Sequence, residues 1–326
     1  MKVLVIGEEK RFKRYTEAQY LNQHEIIIVP VGTSNDEIVT KAKNARVIIA
    51  DAIARVDSDL INRMHRLKLI HSEGVAYHLI DLEAARKRGI YVCHCRGFNA
   101  KAVAEQAVLL MLGCLRFVID GHNAVLNGRQ IDNKLSHMAH GDLLELGELK
   151  VGLVGAGAIA KNVANMLSGF DCEVYYYDIN KLHMITEQYY HLNYLPLDEL
   201  LNTCDIISLH VPVTDDTFHM VDDTFIERMK EGSILINTAR GELIDNDALI
   251  RGLQSHHIAG AGLDTLDNEP VQSDHPLLTS DVTDRILFSP HIGGLTASAF
   301  HRGYKIIWNN IEHIRHHEKP DFIVNM

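Results

Sequence analysis

What the 326 residues lack narrows the field first. No stretch approaches the roughly 20 consecutive apolar residues that a membrane-crossing helix needs, so no membrane partner is expected. The N-terminal run Met1-Lys2-Val3-Leu4-Val5-Ile6-Gly7 is too short for a signal peptide and reads as a first strand. There is no excess of positive charge. The net charge of −11 argues against broad binding to nucleic acid or to an anionic membrane surface. It leaves room for a small anionic substrate, because one arginine can dominate a local site. The five cysteines are odd in number and show no framework spacing, which points to reduced thiols in a cytoplasm. Cys93-His94-Cys95 has no second Cys/His pair at zinc spacing, so it reads as a strand end and no metal is expected. Repeats and low-complexity tracts are also absent.

What is present is an ordinary globular composition, 46% hydrophobic and 23% charged, in a chain long enough for two domains. Short apolar strands alternate with helical patterns twice over. The first series has strands near 3–6, 26–29, 47–50, 69–71 and 91–93, with helical stretches near 15–23, 36–43, 58–64 and 82–88. A long helical pattern covers 100–126, and a polar, histidine-bearing segment at 128–147 reads as an irregular arm. The second series has strands near 151–154, 173–177, 206–210, 233–238, 258–263 and 285–288. Such alternation means βα units and parallel sheets. The fold expected is α/β, with two doubly wound Rossmann-like or flavodoxin-like domains and an active-site cleft between them. A last helix near 296–317 can return to the first domain. The expected division is therefore 1–98 plus 295–326 for substrate and 99–294 for cofactor.

The chain is organised around Val151-Gly152-Leu153-Val154-Gly155-Ala156-Gly157-Ala158-Ile159-Ala160. An apolar strand meets a glycine-rich turn with G-x-G-x-x-A spacing, then an amphipathic helix, which is the dinucleotide-binding fingerprint. Gly155 permits the tight turn, Gly157 lets a pyrophosphate approach the backbone, and Ala160 keeps the helix close to the strand. The helix N-terminus, from Ala158 and Ile159, offers unpaired N–H groups and a positive dipole end. The next strand ends at Asp178, about 20 residues on, where a carboxylate accepts from a ribose 2′-hydroxyl and repels a 2′-phosphate. NAD is expected over NADP. The first sheet has no such turn, because Gly7 is followed by Glu8-Glu9-Lys10.

Ligands of open α/β sheets bind outside the carboxyl ends of strands. Three side chains stand there: Arg240 in Asn237-Thr238-Ala239-Arg240-Gly241, Glu269 before Pro270, and His291 between Pro290 and Ile292-Gly293-Gly294. An arginine holds a carboxylate with two parallel hydrogen bonds. A histidine with a carboxylate neighbour is the usual acid–base pair near neutral pH. Taken singly each has an ordinary reading: a solvated loop arginine, an acidic loop that also carries Asp264 and Asp267, and one histidine among 20. Together they supply what hydride transfer to a 2-oxo acid requires.

These stretches, with Gly74-Val75-Ala76-Tyr77-His78-Leu79-Ile80-Asp81, Asn99-Ala100-Lys101-Ala102-Val103-Ala104-Glu105 and His210-Val211-Pro212-Val213-Thr214, resemble the NAD-dependent D-isomer-specific 2-hydroxyacid dehydrogenase family over essentially the whole chain. The resemblance implies catalytic roles for Arg240, Glu269 and His291. It implies substrate contacts from the backbone at Val75 and Ala76, from Asn99 and from Arg240. Cofactor contacts are implied at Val103, Ile159, Val211, Arg240 and His291, at Pro212 and Thr217 near the ribose and phosphates, and at Thr238, Ala239 and Asp264 near the nicotinamide. It also implies a homodimer whose domains close around substrate. Three positions depart from the family pattern: Ala160 for the third glycine, Ala158 where relatives often carry a phosphate-binding base, and Ala76 for a frequent glycine. Glu73 adds an acid beside an expected anion site.

The expected reaction is reduction of a small 2-oxo acid to the D-2-hydroxy acid. A phosphoglycerate dehydrogenase-like enzyme is the nearest alternative. Against it, Arg55 is the one basic residue in 49–55, where such relatives place their phosphate contacts, and no regulatory domain follows Met326. Glu269 argues against formate oxidation, whose enzymes lack the catalytic acid. From a different class, an NAD(H)-sensing co-repressor-like protein is the second alternative.

Overall fold

The computed structural model describes all residues, Met1–Met326. Near-continuous apolar runs become strands, and inner ones such as Val47–Ala50, Leu69–Ser72, Ile206–Leu209 and Ser233–Asn237 are buried along their whole length, as parallel sheets require. In one unit these are β1 (Lys2–Ile6), β2 (Glu25–Val29), β3 (Val47–Ala50), β4 (Leu69–Ser72) and β5 (Tyr91–Cys93), all parallel in the order β2-β1-β3-β4-β5. In the other they are β6 (Lys150–Val154), β7 (Glu173–Tyr177), β8 (Leu192–Tyr194), β9 (Ile206–Leu209), β10 (Ser233–Asn237), β11 (Ile258–Leu263) and β12 (Ile286–Phe288). That sheet runs β12-β11-β10-β9-β6-β7-β8, again parallel throughout. Its order reverses between β6 and β9, and the glycine-rich turn follows β6 at that switch point. The chain thus forms the two doubly wound α/β sheets expected.

Two compact units result, Met1–Asn99 with Leu295–Met326, and Ala100–Gly294. The first has one large core, built from residues such as Leu4, Ile48, Ile61 and Ile70. The closing helix Ala297–Arg315 belongs to the same unit. Tyr304 and Trp308 on that helix pack against Phe12, and Asn310 hydrogen-bonds His71 at 3.0 Å. The second unit has an apolar cluster on each face of its sheet. Helix Ala100–Leu115 lies on one face, buried on most sides, as its near-unbroken apolar composition dictates.

Four segments differ from the sequence expectation. The pattern at 100–126 is not one helix. It breaks after Leu115, at Phe117 (φ 46°), and resumes as Val118–Leu126 at an angle of 59°. No single helix is long and apolar enough to cross a membrane. The arm expected to be irregular at 128–147 contains helix Gln130–His140, whose apolar residues Ile131, Leu135 and Met138 share one face at helical spacing and stay exposed. The stretch expected as one helix at 15–23 is two, Glu9–Tyr15 and Ala18–Gln23. The first starts early because Glu8 caps it, accepting from the amides of Lys10 and Arg11. Edge strand β8 has only three residues, too few to show a period.

Candidate active site

The glycine-rich turn has the shape a dinucleotide needs. Gly155 has φ +97°, and a Cβ there would sit 2.7 Å from the His210 carbonyl oxygen, so only glycine fits. At Gly157 an added Cβ would meet no protein atom within 4 Å, leaving the backbone open to an incoming group. Gly157 caps helix Ala158–Leu167 with no side-chain hydrogen bond, so the first-turn amides are unpaired beside the exposed Gly157 and Ala158. Asp178 lies at the end of β7 against the same turn. It accepts from the Ala156 amide at 2.8 Å and the Asn180 amide at 2.9 Å. A carboxylate has about four lone-pair positions, so two remain for a ribose hydroxyl.

Further along the carboxyl edge, Val211 packs near Gly155. Thr217 spends its hydroxyl on its own loop, donating to the Pro212 carbonyl and accepting from the Thr214 amide, both at 2.7 Å. Val103 is buried within its helix. Buried polar atoms without partners occur at His210 Nδ1, Thr238 Oγ1 and Thr265 Oγ1, after β9, β10 and β11. Burial pushes the His210 pKa down to about 4, so that ring is neutral. Unpartnered buried groups cost free energy. Three in a row along this edge, beside an open helix N-terminus, fit a polar ligand such as NAD.

Arg240, Glu269 and His291 follow the neighbouring strands β10, β11 and β12. The structure brings two of them together: His291 Nδ1 donates to Glu269 Oε2 at 2.5 Å. Glu269 is fixed from behind by the Leu266 amide, 3.1 Å from Oε1. With Nδ1 engaged, Nε2 is the nitrogen left to meet a substrate, and the ring is 45% exposed. Arg240 is joined to neither. Its guanidinium donates to the Ala239 carbonyl at 2.7 Å, is exposed and forms no ion pair, so it is available to an anion. A cavity of about 650 Å³ borders the pair, with apolar walls from Leu266, Val271, Leu278 and Phe288.

The sequence did not assign a bracing role to the residues that hold this arrangement. Asn237, fully buried, donates to the Arg240 carbonyl at 2.7 Å and accepts from the Ala239 amide at 3.0 Å, which shapes the arginine turn. Asp264 is also spoken for. It accepts from the Ser289 hydroxyl and from the amides of Ile292 (3.1 Å) and Gly293 (2.8 Å). The structure thus gives Asp264 the turn that carries His291, which has φ +55°. Asp267 takes His275 Nε2 at 2.6 Å and Asn246 Nδ2 at 2.8 Å, bracing the loop that carries Glu269. Burial works against the Asp267 charge, but those hydrogen bonds outweigh it and hold its pKa low.

In the other unit, the turn after β4 presents Val75 and Ala76. Its three carbonyls are tied back: Gly74 to the Cys95 amide (2.9 Å), Val75 to His94 Nδ1 (2.9 Å) and Ala76 to the Ser72 hydroxyl (2.5 Å). The amides of Val75 and Ala76 donate to nothing, which is the polarity an anion requires. Asn99 stands just before helix Ala100–Leu115, half-buried, its side chain without a hydrogen bond.

The comparisons with known proteins agree with this geometry. Residues 108–293 match the family described as D-isomer specific 2-hydroxyacid dehydrogenase, NAD binding domain. A glyoxylate reductase of Thermofilum pendens is 32% identical over 292 residues, covering 90% of this chain and 85% of that one. Among solved structures, the TT0316 protein from Thermus thermophilus is 30% identical with a TM-score of 0.82, covering 99% of this chain and all of that one. D-lactate dehydrogenase with NAD+ from Lactobacillus jensenii is 25% identical with a TM-score of 0.83 over both full chains. The chain belongs to the D-isomer specific 2-hydroxyacid dehydrogenase family and is an NAD-dependent oxidoreductase of 2-oxo and 2-hydroxy acids.

Proposed function

We propose that the protein works as a 2-oxoacid reductase on small substrates, with glyoxylate and its near homologues as the first candidates. The observation that carries this reading is the Glu269–His291 pair, 2.5 Å apart with Nε2 left open. Bound NADH supplies the hydride and NAD accepts it in reverse. His291, as imidazolium, donates its Nε2 proton to the carbonyl oxygen of the substrate, and as imidazole it takes that proton back in the oxidative direction. Glu269 fixes the ring and stabilises its charged form, the role of the carboxylate in triads generally. Arg240 binds the substrate carboxylate and polarises the adjacent carbonyl. In the first unit, the amides of Val75 and Ala76 supply a carboxylate-binding turn, and Asn99 lies near the substrate. In the second, the amides at Gly157, Ala158 and Ile159 hold the pyrophosphate, and Asp178 holds the ribose. Pro212 and Thr217 lie toward the ribose and phosphates, with Val103 and Val211 as further cofactor contacts. Thr238, Ala239 and Asp264 line the nicotinamide end.

The test is NADH oxidation across a panel running from glyoxylate, hydroxypyruvate and pyruvate to branched and aromatic 2-oxo acids, with 3-phosphohydroxypyruvate included. Turnover is expected to peak among the two- and three-carbon acids. Silence across the panel while NADH still binds would favour the sensor reading. A peak at the phosphorylated acid would favour the phosphoglycerate dehydrogenase-like one.

We also propose a homodimer. Helices Val118–Leu126 and Gln130–His140 expose Ile119, Val125, Leu126, Ile131, Leu135 and Met138, each more than half accessible. So dense an apolar surface is costly in water unless covered, and a second copy of the same helices is its natural cover. Sedimentation velocity should give about twice 36.7 kDa, and Leu135→Glu with Met138→Glu should give monomer. A wild-type monomer at micromolar concentration would sink the idea. All five thiols are free, in keeping with the cytoplasmic location we propose.

A further inference from the structure

One partly buried cluster in the first unit has no part in the chemistry above. Glu73 leaves the end of β4 directly before the turn that carries Val75 and Ala76, and it is 8% exposed. Arg11 grips it with a fork, Nε to Oε1 at 2.9 Å and Nη2 to Oε2 at 2.6 Å. The same Nη2 reaches Asp51, which follows β3, and the Tyr304 hydroxyl donates to Glu73 from the closing helix. All converge over the end of β1. A Cβ added at Gly7 would lie 3.7 Å from Arg11, from Asp51 and from Glu73 alike. The loop that carries Asp51 also lies against the turn: a Cβ on Gly74 would sit 3.3 Å from that of Ala52, the next residue. Two carboxylates face one guanidinium. The hydroxyl adds no charge, since burial and Glu73 push the Tyr304 pKa up. Burial works against the Arg11 charge, but Glu73 and Asp51 outweigh it and keep the guanidinium protonated.

We propose that this knot sets charge selectivity: it admits 2-oxo acids with one carboxylate and rejects those carrying a second anionic group. The inference rests on the reading of Val75 and Ala76 as the carboxylate turn. A substrate held there has its remaining atoms within a few ångströms of the turn. A second anion on it would lie within about 10 Å of the surplus negative charge, a range over which physiological salt screens only in part. Arg11 is the cation of the knot, but Glu73 and Asp51 together outweigh its charge and hold its Nε and Nη2, leaving only Nη1 without a partner.

The experiment compares 2-oxobutyrate with oxaloacetate, in which a carboxylate replaces the terminal methyl, using NADH oxidation by the full-length protein. Wild type should favour 2-oxobutyrate in kcat/KM. Glu73→Gln and Asp51→Asn, near-isosteric changes that each remove one negative charge, should each narrow that ratio about tenfold, the scale of one partly screened charge at this distance. The narrowing should shrink at high salt. Tyr304→Phe, which alters no charge, should leave the ratio in place. Asp51 is the more accessible acid, so its variant serves should Glu73→Gln fail to fold. An unchanged ratio in a folded acid variant overturns the inference and leaves the reductase reading standing. A wild type that turns over neither acid, nor any other in the panel, overturns the reductase reading and this inference with it.

Discussion

Replacing His291 by Asn lowers kcat by about a thousandfold, the middle of the range expected when a positioned acid–base group is removed, while NADH binding and thermal stability stay near wild type. Asn is the informative substitute because the backbone at 291 is left-handed, with φ +55°, a conformation Asn tolerates far better than Ala. The ring is 45% exposed, so its removal opens no cavity, and stability should move by no more than about 0.5 kcal/mol. The turn itself is held by Asp264 through the amides of Ile292 and Gly293, and those bonds survive the change. Glu269→Gln should cost less, about a hundredfold. It removes the charge facing the imidazolium but keeps an acceptor for the Leu266 amide. The double variant should be little worse than His291→Asn alone, because groups that act as a unit are not additive. Steady-state kinetics with fluorescence titration of NADH separates the terms. Near-normal turnover in His291→Asn would remove His291 from the reaction.

The parts of this site that were legible in the sequence are those where a backbone requirement selects a residue type. Gly155 and Gly157 flank Ala156 in one turn, and Asp178 ends the next strand, so short-range spacing alone outlines the cofactor turn. Arg240, Glu269 and His291 were legible differently. Each follows an apolar strand, and the topology of a parallel sheet puts successive strand ends along one edge. Spacing said nothing of the 2.5 Å contact between residues 22 apart, which depends on the register of β11 against β12.

What could not be read was long-range or locally ambiguous. Arg11, Asp51, Glu73 and Tyr304 come from four separate segments, and no period links them. Glu73 therefore read as an acid beside an anion site, although a guanidinium lies against it. Asp267 was visible but indistinguishable from its acidic neighbours until His275 and Asn246 were seen on it. Helix Gln130–His140 had the correct i, i+4, i+7 apolar spacing, but that face is exposed in the chain by itself, so the segment lacks the strong apolar content that marks a core helix. Strand β8 pairs along only one edge, with β7, over three residues, and its existence depends on the sheet rather than on its own composition.

Gly241→Ala should be the most damaging single methyl in the second unit. A Cβ at this buried position would overlap the carbonyl carbon of Leu266 and the amide nitrogen of Asp267. These are backbone atoms, so no side-chain rotation can relieve the clash, and the two loops must part. One carries Arg240 and the other Glu269, with its amide anchor at Leu266. Overpacking of this kind costs about 1–3 kcal/mol, or a fall of several degrees in Tm at about 2–4 °C per kcal/mol for a unit of this size. A displacement near 1 Å between catalytic groups costs about a hundredfold in rate, so kcat/KM should fall by that order even in the protein that remains folded. Gly157→Ala is the matched control. Its methyl would meet no protein atom within 4 Å, so Tm should hold. The loss should fall instead on NADH affinity, because the methyl occupies the space through which a pyrophosphate reaches the backbone. Differential scanning calorimetry and NADH titration of the two variants separate a glycine needed by the fold from one needed by the cofactor. If Gly241→Ala keeps both wild-type Tm and wild-type kcat/KM, the arginine turn and the glutamate loop are not coupled through this contact, and each must be held in place by its own hydrogen bonds alone.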